Sequence, residues 1–264
     1  MGYLLCPVLL LLQFIMSSRA IGESSPTHPV LLKLQQHTRI SYADRDILGK
    51  LLSDVRTIDG RRDIIRAGED PKFVHLMVDG WSCRYSIIDD GRRQITAFLV
   101  PGDFCDTDIF MLGQMDHSIG ALGRARVAFI SKDLMAEVAE RPSLIRALWW
   151  ASLVDKGVLR AWIVNIGRRN AAQRVAYLTC ELHARLLSIG MVSNDSFQMP
   201  LTQEDLGDAL GLTPVHINRV LRILRERRLM TFSNRTIVIH DAKALSQEAG
   251  FDPHYLHLKS IADL

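Results

Sequence analysis

The sequence predicts an α+β chain: an antiparallel β sandwich or small barrel, then a long helix, then a helix-turn-helix followed by a hairpin. Three observations predict it. After Arg61, strand-length runs alternate with turn residues at intervals of about 8–12 residues, the texture of an antiparallel sandwich or barrel. Beyond Lys132 the apolar spacing turns helical. Between Leu201 and Leu224 two capped helical segments are joined by a short turn that contains glycine. The chain has 264 residues, 48% apolar and 23% charged, which excludes collagen-like, disordered and multi-span membrane classes. That length holds one large domain or two small ones.

The amino terminus stands apart. Leu4–Ile15 reads LLCPVLLLLQFI, long enough for the apolar part of a signal peptide and short for a membrane span. No Lys or Arg precedes it, and Ser18-Arg19-Ala20 is a marginal cleavage site. Met16 opens a polar run that suits an ordinary cytoplasmic start. Residues 1–29 are therefore a doubtful leader, with initiation at Met16 preferred over an exported chain or an apolar arm.

From Val30 to Leu52 the apolar spacing suits short helices. The strands that follow are Phe73–Val78, Trp81–Ile88 and Arg93–Val100, separated by Asp79-Gly80 and Asp89-Asp90-Gly91 and followed by Pro101-Gly102-Asp103. Asp90-Gly91 is the strongest hairpin signal. Leu134–Glu140 is a short helix that stops at Arg141, because a residue before proline is pushed out of the helical region. A long helix runs from about Ser143 to Asn165. On it Leu144, Leu148, Ala151, Val158 and Trp162 recur at spacings of 4, 3, 7 and 4, with Asp155 as the polar exception. Such a stripe pairs with a copy of itself or packs on its own barrel, and self-pairing is the preferred reading. Gly167–Asn170 interrupts the pattern and Ala171–Ile189 resumes it. The expected divisions are residues 30–136 for the barrel, 137–168 for the dimerisation helix, 169–245 for the helix-turn-helix with its wing, and 246–264 for a C-terminal tail.

Within the helix-turn-helix, Thr202 caps the first helix, with Asp205 as an acidic capping-box partner. That helix buries Leu206 and Leu210, and Gly211 makes the turn at its end. Thr213 caps the second helix, where Pro214 at the first position loses no hydrogen bond. Ile217, Val220, Leu221 and Leu224 share its inner face. Val215, His216, Asn218, Arg219 and Arg222 share the outer one. Arginine offers two donors to guanine and asparagine pairs with adenine, so this face carries the chemistry that reads a DNA major groove. The net charge of +3 barely suggests a polyanionic partner, but residues 214–235 hold six Arg and one Glu, so the rest of the chain sums to −2. Leu229–Phe232 and Thr236–His240 form a wing hairpin with Arg235 at its tip, placed for a phosphate.

The segments RRDIIRAGED, LMVDGW, FLVPGDF and LTQEDLGDALGLTPVHINRVLRILRERRLM, in this order, resemble the Crp–Fnr family of bacterial transcription regulators, relatives of the cyclic AMP receptor protein. The resemblance covers about Val30 to Asp241. It implies a jelly-roll barrel of the cyclic-nucleotide-binding kind and a cytoplasmic homodimer. It also implies a two-fold-symmetric site on double-stranded DNA, with one winged helix-turn-helix per half-site. RNA polymerase is a partner by family, although no residue here shows it. The DNA-binding set is Thr202, Thr213, Pro214, Val215, His216, Asn218, Arg219, Arg222 and Arg235, with Arg219 at the family's base-reading arginine. Pro214 and Val215 stand where the family is usually polar or charged, so the operator is expected to differ.

Cyclic-nucleotide members of the family follow Gly-Asp-Phe with Gly-Glu-Leu and later an Arg-Ser or Arg-Thr pair. Here those positions are Asp106 and Thr107, then His117 and Ser118, which become the effector-pocket candidates. A cyclic phosphate would meet Asp106, Asp108 and Asp116 without its guanidinium, and a neutral histidine supplies at most one donor. Cyclic AMP is therefore disfavoured, and another small ligand, or none, is expected. The oxygen-sensing branch uses a cysteine quartet that Cys6, Cys83, Cys105 and Cys180 do not reproduce, so neither an iron–sulfur cluster nor a zinc knuckle is expected. Cys105 is a candidate redox sensor, with a buried inert thiol preferred. His37, His75 and His117 are available to a haem but read better as structural. His254 and His257 read as packing or surface residues rather than metal ligands. No Gly-rich phosphate loop, G-x-S-x-G or H-E-x-x-H supports an enzyme. The remaining rival is a non-transcriptional cyclic-nucleotide or small-ligand binding module, against which the helix-turn-helix stands.

Overall fold

The computed structural model describes residues 28–36, 41–107, 111 and 113–259. The leader up to residue 27, with Cys6 and Met16, and also His37 and Asp108, lie outside the described residues. Two short helices come first, α1 (Pro29–Gln35) and α2 (Tyr42–Leu51). Ser41 and Asp44 cap α2 reciprocally, and the Ser143 hydroxyl donates to Asp44 at 2.8 Å, tying α2 to the start of the long helix.

Seven strands make the barrel: β1 (Val55–Ile58), β2 (Asp63–Ile65), β3 (Phe73–Asp79), β4 (Ser82–Ile87), β5 (Arg93–Leu99), β6 (Ser118–Ala121) and β7 (Ala125–Ser131). They form two antiparallel sheets, ordered β1-β7-β3 and β2-β6-β4-β5. The β4–β5 hairpin turns at Asp89–Gly91, where Gly91 takes φ 81° and its N–H donates to the Ile88 carbonyl at 2.8 Å. Its register slips between Arg84, which faces Ala97, and Tyr85, which faces Ile95. This β-bulge lies beside the barrel's interior chamber.

Ser131 caps α3 (Lys132–Ala139), and the long helix α4 runs from Pro142 to Arg168. Its predicted seam is corrected by the structure. Leu144, Leu148, Val158 and Trp162 are 2–5% exposed in a single chain. The first two belong to the core beneath β3 and β7, and the last two to a second core that includes Phe98 of β5. Ala151 lines the chamber between α4 and the barrel. These residues are consumed inside one subunit. The free apolar stripe is a different one, carrying Trp149, Leu153, Leu159 and Ile163.

After the break at Arg169, Asn170 and Gln173 form the capping box of α5 (Ala171–Leu187). The next elements are β8 (Ser196–Gln198), α6 (Gln203–Leu210), α7 (Pro214–Glu226), β9 (Met230–Ser233) and β10 (Thr236–Ile239). The wing has three strands, β8-β10-β9, rather than the expected two. Last come α8 (Ala242–Ala249) and a 3-10 turn over Pro253–Leu256. The described part of the expected C-terminal tail, residues 246–259, instead contributes to the core. Leu256 is fully buried, and the Tyr255 carbonyl sits so close to α4 that a Cβ on Gly157 would lie 3.1 Å from it. Among the described residues, no helix is long and apolar enough to cross a membrane.

Candidate nucleic-acid interface

The helix-turn-helix is built from its caps. The Thr202 hydroxyl accepts the Asp205 N–H at 3.1 Å, and the Asp205 carboxylate accepts the Thr202 N–H at 2.8 Å. Gly211 closes α6 in the left-handed region, with φ 64° and ψ 40°. Gly207 lets the turn pass, since a Cβ there would stand 2.5 Å from the Leu212 carbonyl oxygen. Thr213 then accepts the His216 N–H at 3.2 Å and opens α7. Leu206, Leu210, Ile217, Val220 and Leu224 are buried, and Leu221 packs against the same core from the half-buried margin.

The outer face of α7 is open. Val215 is 81% exposed, and Pro214, Val215, Asn218, Arg219 and Arg222 line one shallow surface together with Gln203. Gln203 escaped the sequence reading. Its side-chain oxygen lies 3.4 Å from the Asn218 amide, which orients that amide across the groove between α6 and α7. His216 is half-buried at the edge of this face, and Thr202 and Thr213 serve as caps rather than as part of it. Asn234 and Arg235 both take positive φ, 49° and 57°, as a two-residue wing turn demands. The Arg235 carbonyl accepts the Met199 N–H at 2.8 Å, which anchors the wing while its side chain stays exposed.

Asp205 does more than cap α6. It is fully buried, accepting Arg61 at 2.8 and 3.1 Å and Arg93 at 2.8 Å, while Arg93 also reaches Asp208 at 2.7 Å. Burial pushes this carboxyl up, but the Thr202 N–H and the Arg61 guanidinium outweigh it and hold its pKa below the ordinary carboxylate value. Arg61 and Arg93 thus clasp the helix-turn-helix to the barrel. No local pattern could have revealed this, because the partners lie 112 to 144 residues apart.

The candidate effector residues do not all meet in one place. A cavity of about 310 Å³ between the Gly102–Phe104 turn and α4 is lined by Asp106 and Thr107. His117 sits behind it, clamped by Asp116 at 2.6 Å and Asp106 at 3.2 Å. The hydrogen bond to Asp106 raises its pKa, with burial opposing. The Ser118 hydroxyl accepts the Ala67 N–H at 3.0 Å. Sequence reading missed the cations of this cavity. Arg84 donates to both oxygens of Asp155 at 2.8 and 2.9 Å, and Arg185 donates to Asp103 at 2.7 Å. Lys33 pairs with the same Asp103. Asp155, the polar exception on the α4 stripe, was the one visible signal. Arg84 and Arg185 are thus each paired with a carboxylate, and Asp106 and Lys156 also line the space.

Behind Arg185, buried Glu181 accepts Trp162 Nε1 at 3.1 Å and the Tyr255 hydroxyl at 2.8 Å. Burial raises the Glu181 pKa against the pull of Arg185. Cys83, Cys105 and Cys180 are buried thiols, each pushed up to about 12 by burial, the opposite of what a reactive thiol needs. His75 is buried edge-on to Phe129 at 4.8 Å, and burial lowers its pKa to about 4.

A family model described as a Crp-like helix-turn-helix domain matches residues 173–248, and one described as a cyclic nucleotide-binding domain matches residues 56–141. The nitrogen fixation regulation protein FixK of Bradyrhizobium diazoefficiens is 31% identical over 144 residues, covering 54% of this chain and 60% of FixK. The transcriptional activator protein FnrL of Cereibacter sphaeroides is 25% identical over 214 residues, covering 75% of this chain and 81% of FnrL. The structure of FixK2 from Bradyrhizobium japonicum superposes with a TM-score of 0.67 at 24% identity, covering 75% of this chain and 98% of that one, and so shares the fold. Both domains are thus matched in the order in which the fold lays them out, and the chain belongs to the Crp–Fnr family of transcription regulators.

Proposed function

We infer that this protein regulates transcription as a homodimer that places one α7 in each half of a two-fold-symmetric DNA site. The observation that carries this reading is the outer face of α7. A capped, rigid helix presents Asn218, Arg219 and Arg222 to solvent, flanked by the exposed wing residue Arg235. Arg219 and Asn218 supply base-edge donors, and Arg235 supplies a phosphate contact. Pairing through α4 uses the outward stripe. Trp149 and Ile163, each 64% exposed, stand two heptads apart with Leu159 between them, the repeat of a two-stranded coil. Such a protein works in the cytoplasm, where its DNA is.

The reading includes no enzymatic step, no cysteine-ligated cluster and no cyclic AMP. The arrangement of Asp106, Asp155 and Arg84 supports the last of these, and the deep burial of three thiols supports the second. Contact with RNA polymerase remains an implication of the family alone.

Selection of DNA from a random pool with purified protein tests the reading. The expected outcome is a two-fold-symmetric consensus bound by two chains per site, with affinity falling steeply as salt rises. Failure to enrich any sequence, or binding that ignores salt, would contradict it.

A further inference from the structure

In a barrel whose ligand chamber abuts the long helix, something must couple the two. Here that coupling is covalently part of the chain. Arg84 projects from β4 at the β-bulge, a device that re-aims a side chain. Its Nε donates to the Cys105 carbonyl at 2.8 Å, which holds the guanidinium's stem against the Gly102–Phe104 turn. Its Nη1 grips both oxygens of Asp155 on α4, and Asp106 stands 3.7 Å from Nε. The Arg84 side chain is 14% exposed and that of Asp155 42%, so the pair is partly buried and only partly screened. An anionic ligand that took Arg84 as its cation would have to displace Asp155 and leave that carboxylate without its partner. A cationic ligand would have to pull the same carboxylates away.

We propose that Arg84 stands in place of an effector: its guanidinium is the built-in cation that holds the barrel against α4, so that the protein binds DNA with no small molecule present. Arg84 is a positioning residue, acting on DNA through Asp155 and α4. The stretch of α4 it holds, Ala151 to Val158, lies between Trp149 and Leu159 of the outward stripe, so a shift of Asp155 moves the surface proposed to join two subunits. This inference rests on the DNA-binding reading above.

The test uses the full-length protein and a DNA site obtained by pool selection. Affinity is measured for wild type, Arg84→Met, Asp155→Asn and the double variant, with and without cyclic AMP, alongside thermal melts as a folding control. Wild type is expected to bind without added ligand and to be unmoved by cyclic AMP. Each single variant should lose DNA affinity on the order of tenfold, the scale of one allosteric coupling, and the double variant should lose no more than either single. Asp155 is half-exposed, so Asp155→Asn remains informative if Arg84→Met fails to fold. Folded variants that bind DNA as wild type does would overturn the proposal. So would a wild type that binds DNA only when cyclic AMP or a small-molecule extract is supplied. A wild type that selects no DNA under any condition would instead remove the DNA-binding reading, and this proposal with it.

Discussion

Two groups of arginines in this molecule differ in their company. Arg61, Arg84, Arg93 and Arg185 are each held by carboxylates, two of which, Asp205 and Glu181, are fully buried. Arg219, Arg225, Arg228 and Arg235 are exposed and form no ion pair with any described carboxylate. Around α7, among the described residues, only Arg222 and Arg227 have acidic partners, at 3.8 and 2.7 Å. The first group holds elements together, where an unpaired charge would be expensive. The second keeps its charge available, as a surface that meets a polyanion must. Net charge could not show this contrast, because it counts both groups alike.

Breaking the paired group should have the largest effect. Asp205→Asn strips a charge from a buried carboxylate that caps α6 and accepts two barrel arginines, and it should lower unfolding stability by about 2–4 kcal/mol in a urea titration at neutral pH. The same clasp has an acid limit. Because the folded pKa of Asp205 lies below 3.8, its contribution is complete above that value and is lost as pH falls through the lowered one.

The unpaired group should behave in the opposite way. Arg219→Ala should leave the melting curve nearly unchanged, yet reduce discrimination between the selected site and single-base variants by ~1–3 kcal/mol in competition gel shifts. Arg235→Ala should weaken all sequences alike and reduce the salt slope by about 1. A large loss of fold stability in either variant would erase the contrast between the two groups.

The smallest effect concerns His117, which lies between the groups in character. Its pKa is raised above 6.5 by Asp106, so its contribution is full below 6.5 and fades as pH rises through the higher folded value. His117→Gln should therefore narrow the melting-temperature gap from wild type as the buffer is moved from acid to alkaline. A gap that widens on the alkaline side would show that Asp106 and Asp116 do not stabilise the protonated ring.

The helix-turn-helix was legible in the sequence because its determinants are local. Thr202, Gly211, Thr213 and Pro214 each act within one turn of helix, and the apolar spacing separates the two faces of α7 without outside help. The Asp90-Gly91 hairpin was legible for the same reason. The long helix α4 was legible as a helix but its partners were not, since it carries two apolar stripes, and periodicity says that a stripe is covered without saying by what. Leu144, Leu148, Val158 and Trp162 meet the chain's own cores, whereas Trp149 and Ile163 are exposed. Asp155 was the clue, because a carboxylate on an apolar stripe asks for a cation, but its partner Arg84 lies 71 residues away. Gln203 was missed because its part in the DNA-facing surface comes from α7 folding back beside the start of α6.

The contact between the 3-10 turn and α4 has a consequence for synthesis. Tyr255 packs against Gly157 and Glu181 and Leu256 is buried in the same core, so residues translated well after α7 and the wing help to complete it. A chain stopped before Pro253 would leave Glu181 to Trp162 and Arg185 alone, without the Tyr255 hydroxyl. Such a fragment would carry the lettering to read DNA on a body not yet sealed.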